Sequence, residues 1–165
     1  MTRFPLIALF FISLFFIAGC SKTADNPTPV ITGPSPLATE MLQAVNALRT
    51  KGCNCGTQAM PPVPALRWHT QLEAASKRHA INMEAMKSLT HTGSDGSNVQ
   101  KRIDDSGYRW SFVSENIAVG YKTVTAVMDA WFKSEGHCKN MMSNSVIEMG
   151  ASQSGDYWVQ DFGKP

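Results

Sequence analysis

No charge of one sign dominates this sequence, which limits what it can bind. Its 165 residues include 15 lysines and arginines against 13 aspartates and glutamates, for a formal net charge of +2. A protein that binds nucleic acid through the phosphates needs a basic face. We therefore expect no nucleic-acid partner.

The chain also lacks an apolar run long enough for a helix to cross a membrane. The longest run, residues 4–18, has about fifteen residues, whereas a crossing needs roughly twenty. Arg3 precedes this run, and small residues lead from it into Cys20. This arrangement resembles a lipoprotein signal peptide. We predict that residues 1–19 are the signal peptide and that Cys20 is lipidated; an ordinary signal peptide with a chance cysteine is the alternative.

Large apolar side chains are scarce in residues 20–36, which contain four prolines. Such a segment cannot bury enough surface to offset the entropy of ordering it, and proline keeps it extended. We interpret it as a tether between lipidated Cys20 and a domain over residues 37–165. The protein would then lie outside the cytoplasm in the cell envelope, at the outer membrane if the host has one, with the membrane as a partner through the lipid anchor.

Apolar spacing in the remaining chain is helical in some segments and alternating in others. It predicts helices at residues 36–50, 70–88 and 99–105, and a fourth that begins near Val124 and ends at Gly136. It predicts strands at residues 113–119, 146–152 and 157–162, with a loop over residues 53–64. Ser35 and Pro36 are typical of a helix start, and Thr70 and Glu73 have capping-box spacing. This order indicates an α+β domain with helices layered on an antiparallel sheet.

Histidines are few, so each of the four can be considered separately. His69 precedes the second helix, and His79 lies on its apolar face, where a core histidine is the simpler interpretation. His91 and His137 follow predicted helices in segments rich in small polar residues, where sites tend to lie. Glu115 lies within an otherwise apolar strand, so its carboxylate needs a partner, and a histidine would supply both charge and a hydrogen bond.

Four sets of residues occur in an order typical of one family. They are residues 91–97 (HTGSDGS), 114–118 (SENIA), 131–137 (WFKSEGH) with Asn140, and 157–160 (YWVQ) with Phe162 and Gly163. Together they resemble the CAP superfamily of cysteine-rich secretory, antigen 5 and pathogenesis-related 1 proteins, particularly its bacterial branch. The resemblance covers essentially the whole of residues 37–165. It implies a single domain with a three-layer α-β-α sandwich fold and a central antiparallel sheet.

The family often has a cleft with two histidines and two glutamates. By resemblance, His91 and His137 match the histidines, and Glu115 matches the first glutamate. The second glutamate usually lies where this chain has Ser134, and Glu135 comes one residue later. One residue is about 100° around a helix, so Glu135 need not face the cleft.

Some family members bind a divalent metal in this cleft. A firmly held zinc has three or four protein ligands, so His91 and His137 predict at most a weakly bound Zn²⁺ or other divalent metal. Glu115, Glu135 and Ser134 would lie beside the ligands. A polar cluster in which Glu115 hydrogen-bonds one of the histidines is an equally weighted alternative.

Three cysteines follow Cys20, namely Cys53, Cys55 and Cys138. Export favours a disulfide, and resemblance to bacterial relatives implies the pair Cys55–Cys138. Cys53 would then be a free thiol, an alternative partner or an intermolecular link. A metal clip of two cysteines and one histidine is the less favoured alternative.

Two functions remain open. The first is a non-enzymatic binding module that uses the cleft for a lipid, a glycan or a protein. The second is a metal-dependent hydrolase, a peptidase or cell-wall enzyme, with His91, Glu115 and His137 as the catalytic candidates and Glu115 as general base. The second glutamate of the family cleft has no clear match in this chain, and this favours the binding module.

Overall fold

The computed structural model describes Met1 and residues 35–165, so the predicted signal peptide, Cys20 and most of the tether lie outside the described residues. The helices in the described part are α1 (Pro36–Lys51), α2 (Thr70–Met86), α3 (Val99–Asp105), α4 (Val124–Lys133) and α5 (Glu135–Met142). The strands are β1 (Cys53–Cys55), β2 (Gln58–Met60), β3 (Arg67–Trp68), β4 (Phe112–Val119), β5 (Glu148–Ser154) and β6 (Tyr157–Lys164). Within these residues, no helix is long and apolar enough to span a membrane.

The central sheet has the strand order β3-β5-β6-β4. β6 pairs antiparallel with both β4 and β5, in keeping with the predicted antiparallel sheet, whereas the two residues of β3 add a parallel edge to β5 that was not predicted. The predicted loop at residues 53–64 contains a hairpin in which β1 pairs with β2. Strands of three residues are too short to show an alternating pattern, and Gly56 at φ 60° allows the tight turn between them.

Helices cover both faces of this sheet, which gives the predicted three layers. α2 and α3 pack on one face, and α1, α4 and α5 lie on the other. Side chains alternate along β6, so Trp158 and Phe162 join the core beneath α1 and α4, while Val159 joins Met83 of α2. Both faces of the sheet are therefore buried.

The two long helices begin differently from each other. Ser35 caps α1 by accepting a hydrogen bond from the backbone N–H of Ala38 at 3.1 Å, as predicted. The capping box predicted at Thr70 is wrong, because His69 has the extended backbone of a cap and its Nδ1 accepts from the N–H of Gln71. Glu73 instead accepts a hydrogen bond from Trp68 Nε1 at 2.9 Å.

The prediction that Gly136 ends the fourth helix is also wrong. Ser134 ends α4 and α5 begins at the next residue, so Gly136 and His137 lie in a helix. Gly136 does not have a positive φ and can continue the chain as helix. Arg49 stabilises the far end of α5, where its guanidinium donates to the carbonyls of Met141 and Ser143, each at 2.8 Å.

Gly150 sets how closely α2 packs on β5. A Cβ at this position would overlap the backbone of Leu72 and would lie 2.7 Å from the Cα of Glu73. We expect Gly150→Ala to lower the free energy of unfolding by about 3 kcal/mol or more, since backbone atoms cannot move aside as a side chain can. Urea denaturation followed by circular dichroism measures this.

Gly136→Ala is the matched control. It meets no atom within 4 Å and lies in α5, so alanine should raise stability by about 0.5–1 kcal/mol through helix propensity. Equal effects of the two substitutions would contradict the close packing of α2 on Gly150.

Candidate functional site

His91 lies in the loop between α2 and α3, with its imidazole directed at Glu115. Nδ1 of His91 and Oε1 of Glu115 are 2.7 Å apart. A carboxylate can only accept, so Nδ1–H donates to it, and Nε2 is the ring nitrogen outside this hydrogen bond. The His91 side chain is 59% exposed, whereas that of Glu115 is 1% exposed. The pair thus presents an oriented imidazole at the surface above a buried carboxylate.

Arg102 of α3 is the second partner of Glu115 and was not predicted from the sequence. Its Nη2 donates to Oε2 of Glu115 at 2.7 Å, and both side chains are 1% exposed. Its Nη1 donates to the backbone carbonyls of His91 and Ser97, at 3.1 and 2.9 Å. Arg102 follows Val99 by three residues and precedes buried Ile103, so helical spacing placed it on the apolar face of α3. An arginine on the apolar face of a helix was therefore the sequence feature that could have indicated a buried acidic partner.

A second buried acid lies beneath this pair. Asp161 of β6 is directly opposite Glu115 of β4 in the sheet register. Burial, reinforced by the Glu115 carboxylate, raises the pKa of Asp161 well above its ordinary value. Its Oδ2 accepts from Ser76 at 2.8 Å, while its buried Oδ1 has no hydrogen-bond partner among the described residues. Burial and the neighbouring Glu115 thus both favour the neutral form of Asp161, while Arg102 pairs with Glu115.

His79 lies within the α2 side of the core, as expected, and is fully buried. Its Nε2 lies 2.8 Å from the carbonyl oxygen of Thr90 and donates to it. Burial lowers the pKa of His79, so the ring is neutral. This histidine holds the residue that precedes His91.

His137 lies on α5 and is half-buried at the end of a groove. Burial lowers its pKa, and nearby His91 lowers it further, so its imidazole is neutral at physiological pH. The groove has a volume of about 280 Å³ and is lined by Leu89, Ile117, Ala118, Val119, Tyr121, Ala130, Trp131, Ser134 and His137. Ser134 thus accompanies His137, and most of the remaining lining is apolar.

Two asparagines join α5 to the unpaired edge of β4. Asn140 donates from Nδ2 to the carbonyl of Glu115 at 3.2 Å and to Oδ1 of Asn116 at 2.8 Å. Asn116 donates to the carbonyl of His137 at 3.1 Å. Trp131 Nε1 donates to the carbonyl of Ile117 at 3.1 Å, which is the next carbonyl along β4 that points away from the sheet. These bonds set where His137 lies relative to Glu115 and His91.

Glu135 does not join the two histidines. Its carboxylate pairs with Lys139 at 2.5 Å and lies against Gly56 in the turn of the β1–β2 hairpin. The pair is exposed, and the carboxylate is on the side of α5 that faces the hairpin. The offset of one position from the family pattern accounts for this direction.

The predicted disulfide Cys55–Cys138 is confirmed, with the two Cα atoms 5.4 Å apart. Cys53 is free and half-buried. Among the described residues, these three cysteines form the only group of three or more potential metal ligands whose ligand atoms lie within 4.8 Å of one another. A metal clip that uses Cys55 or Cys138 does not fit, because the disulfide leaves neither with a thiolate.

His91 and His137 supply only part of the ligand set that a firmly held metal requires. Nε2 of His91 lies outside the hydrogen bond with Glu115, and His137 is neutral, but both oxygens of Glu115 already have partners. No third histidine, cysteine, aspartate or glutamate of the described residues joins them at ligand distance. The residues present therefore do not supply the three or four protein ligands of a firmly held zinc.

The α-β-α sandwich, with a histidine–glutamate pair beside the edge of its sheet, defines an SCP-type domain. The chain belongs to the cysteine-rich secretory protein family, CAP, whose family model matches residues 42–162. Among curated proteins, it is 26% identical over 145 residues to Bacillus subtilis YkwD, an uncharacterized protein. That match covers 85% of this chain and 53% of YkwD, so the chain spans about half the length of this relative.

Two solved structures share the fold. An extracellular protein with an SCP domain from Bacillus anthracis aligns with a TM-score of 0.70 at 20% identity, over 78% of this chain and 40% of that chain. An outer surface protein of Borrelia burgdorferi aligns with a TM-score of 0.66 at 22% identity, over 76% of this chain and 90% of that chain. At these identities the likeness establishes the fold alone.

Removal of one partner of the buried Arg102–Glu115 pair should destabilise the domain strongly. We expect Arg102→Met to lower the free energy of unfolding by about 3–5 kcal/mol, because it leaves the Glu115 carboxylate buried without its cation. Urea denaturation of the two proteins measures the difference.

The neighbouring substitution Lys101→Met is the control. Lys101 is 62% exposed and pairs with Asp105 on the same helix, so its loss should cost about 0.5 kcal/mol or less. If Arg102→Met changed stability no more than Lys101→Met, the buried pair would not have the structural role described.

Proposed function

We propose that this protein is a membrane-anchored binding module of the cell envelope that does not act as an enzyme. Its groove beside His137 would receive a lipid, a glycan or a protein. The proposal rests on one combination of features: an apolar groove lies beside a carboxylate, that of Glu115, whose oxygens are both hydrogen-bonded. The groove offers surface for an apolar group, while both oxygens of Glu115 are bonded and none is left as a base.

The form of the groove favours a ligand with a polar group attached to an apolar part. Leu89 and Val119, which are 47% and 39% exposed, border it. His137 and Ser134 supply hydrogen-bonding groups at the same place. A site of this kind binds through apolar contact and uses a few polar groups for orientation.

The envelope location is supported by two independent features. The first is the predicted signal peptide with its lipidated Cys20. The second is that similar folds occur in an extracellular protein and in an outer surface protein. A tether of residues 20–36 would reach about 50 Å when extended, so the ligand would be found near the membrane surface.

The alternative, a metal-dependent hydrolase, has less support. Its general base would be Glu115, whose carboxylate is 1% exposed and held by Arg102. Deprotonation of a water by this group would require breaking that pair. We therefore assign Glu115 the role of orienting His91.

A charge placed in the groove should weaken binding. We expect Val119→Asp to reduce affinity for a bound probe about tenfold or more, since an ionised carboxylate there disfavours burial of an apolar group. The probes are a fluorescent fatty acid, soluble peptidoglycan fragments and an apolar peptide, each titrated against the purified protein. Ile147→Asp is the control, because Ile147 is 37% exposed and does not line the groove.

Hydrolysis would overturn this proposal. Casein and peptidoglycan are incubated with the wild type and with the His91→Ala/His137→Ala variant. We expect no turnover by either protein. Turnover that disappears in the double variant would establish the hydrolase instead, and equal probe binding by Val119→Asp and the wild type would remove the groove from the site.

The lipid anchor has its own test. We expect Cys20→Ala to move the protein from the membrane fraction to the soluble fraction, because each buried CH₂ of an acyl chain contributes about 0.8 kcal/mol to membrane attachment. Fractionation and intact-mass measurement of both forms show this. An unchanged mass and full release of the wild type into the medium would contradict lipidation.

A further inference from the structure

Three sulfur atoms meet where the β1–β2 hairpin packs on α5. The disulfide joins Cys55 to Cys138, and the free Sγ of Cys53 lies 3.9 Å from the Sγ of Cys138. All three sulfurs lie within 4.8 Å of one another. None of these contacts belongs to the groove or to the His91–Glu115 pair.

The spacing of the two hairpin cysteines explains this arrangement. Cys53 and Cys55 are the first and third residues of β1, and alternate residues of a strand point to the same face. Both side chains therefore face Cys138 on α5. The central residue, Asn54, is exposed on the opposite face.

We propose that this cluster is a thiol–disulfide exchange site in which Cys53 and Cys55 alternate as the partner of Cys138. In the forward step, the Cys53 thiolate attacks Sγ of Cys138. A new Cys53–Cys138 bond forms, the Cys55–Cys138 bond breaks, and Cys55 leaves as a thiolate that takes up a proton. The step exchanges one disulfide for another, so it needs no external oxidant or reductant.

Both pairings keep the hairpin attached to α5. Cys55–Cys138 links residues 83 positions apart, and Cys53–Cys138 would link residues 85 positions apart, so the entropy lost on closing the loop is nearly the same. The point of attachment on β1 would move by two residues, about 7 Å along the strand. Because Cys138 follows His137 directly in α5, the exchange takes place beside the candidate site.

The protonation of Cys53 controls the rate. Burial raises the pKa of the Cys53 thiol above its ordinary value, and only the thiolate attacks. Exchange should therefore be slow near neutrality and should accelerate about tenfold per pH unit until the thiol ionises.

The experiment locates the free thiol in the full-length protein purified in detergent without reductant. Samples held at pH 6, 7 and 8 are unfolded and alkylated at acidic pH, then digested with trypsin. Cys53 and Cys55 fall in one peptide, residues 52–67, and Cys138 falls in residues 134–139. Tandem mass spectrometry must therefore find which side of Asn54 carries the alkyl group. We expect the label to begin on Cys53 and then to accumulate on Cys55 during the incubation, about tenfold faster at pH 8 than at pH 7 and slowest at pH 6.

Two variants complete the test. Cys55→Ser should contain a Cys53–Cys138 disulfide, and Cys53→Ser, the matched control, should contain only Cys55–Cys138 at every pH. Label confined to Cys53 in the wild type at all three pH values would overturn the proposal. So would a Cys55→Ser protein that is folded by circular dichroism but has both remaining thiols of this cluster alkylated.

Discussion

The carboxylate of Glu115 is buried within a sheet and must be compensated, and the surrounding structure is arranged to do so. Arg102 supplies the positive charge, and the same guanidinium binds the carbonyls of His91 and Ser97. One side chain therefore connects α3, the loop that carries His91, and β4. An unpaired charge here would cost several kcal/mol, so the position of His91 depends on this pair. The raised pKa of Asp161 favours its neutral form, which limits the negative charge beside this pair.

The other half of the site depends on the edge of β4. An edge strand has backbone groups without sheet partners, and here the outward carbonyls of Glu115 and Ile117 accept from side chains of Asn140 and Trp131. The need to satisfy these groups brings α4 and α5 against the edge. His137 is thereby placed near His91, although the two histidines come from opposite layers of the sandwich. The site thus results from two requirements: the buried charge of Glu115 needs a partner, and the unpaired carbonyls at the edge of β4 need hydrogen-bond donors.

Local signals predicted most of the fold. The third helix, residues 99–105, was predicted with the limits that the structure has, because its apolar residues have helical spacing. The short hairpin escaped prediction since three-residue strands carry no pattern. α5 escaped prediction since glycine is usual after a helix, whereas Gly136 lies inside the next one. Its stability comes from Arg49 and Cys138, which are contacts distant in sequence.

The candidate site was likewise predicted only in part from the sequence. Glu115 in an apolar strand was enough to predict a buried carboxylate in need of a partner, and family resemblance supplied His91, His137 and the disulfide. Neither could show that Arg102 would be a second partner of Glu115, that Glu135 would pair with Lys139, or that Cys53 would lie beside the disulfide. Periodicity and residue type indicate which side chains must be buried, because the local geometry of a helix or strand decides which residues share a face. Which groups then meet depends on strand register and helix docking, and these are settled only when elements far apart in the chain pack together.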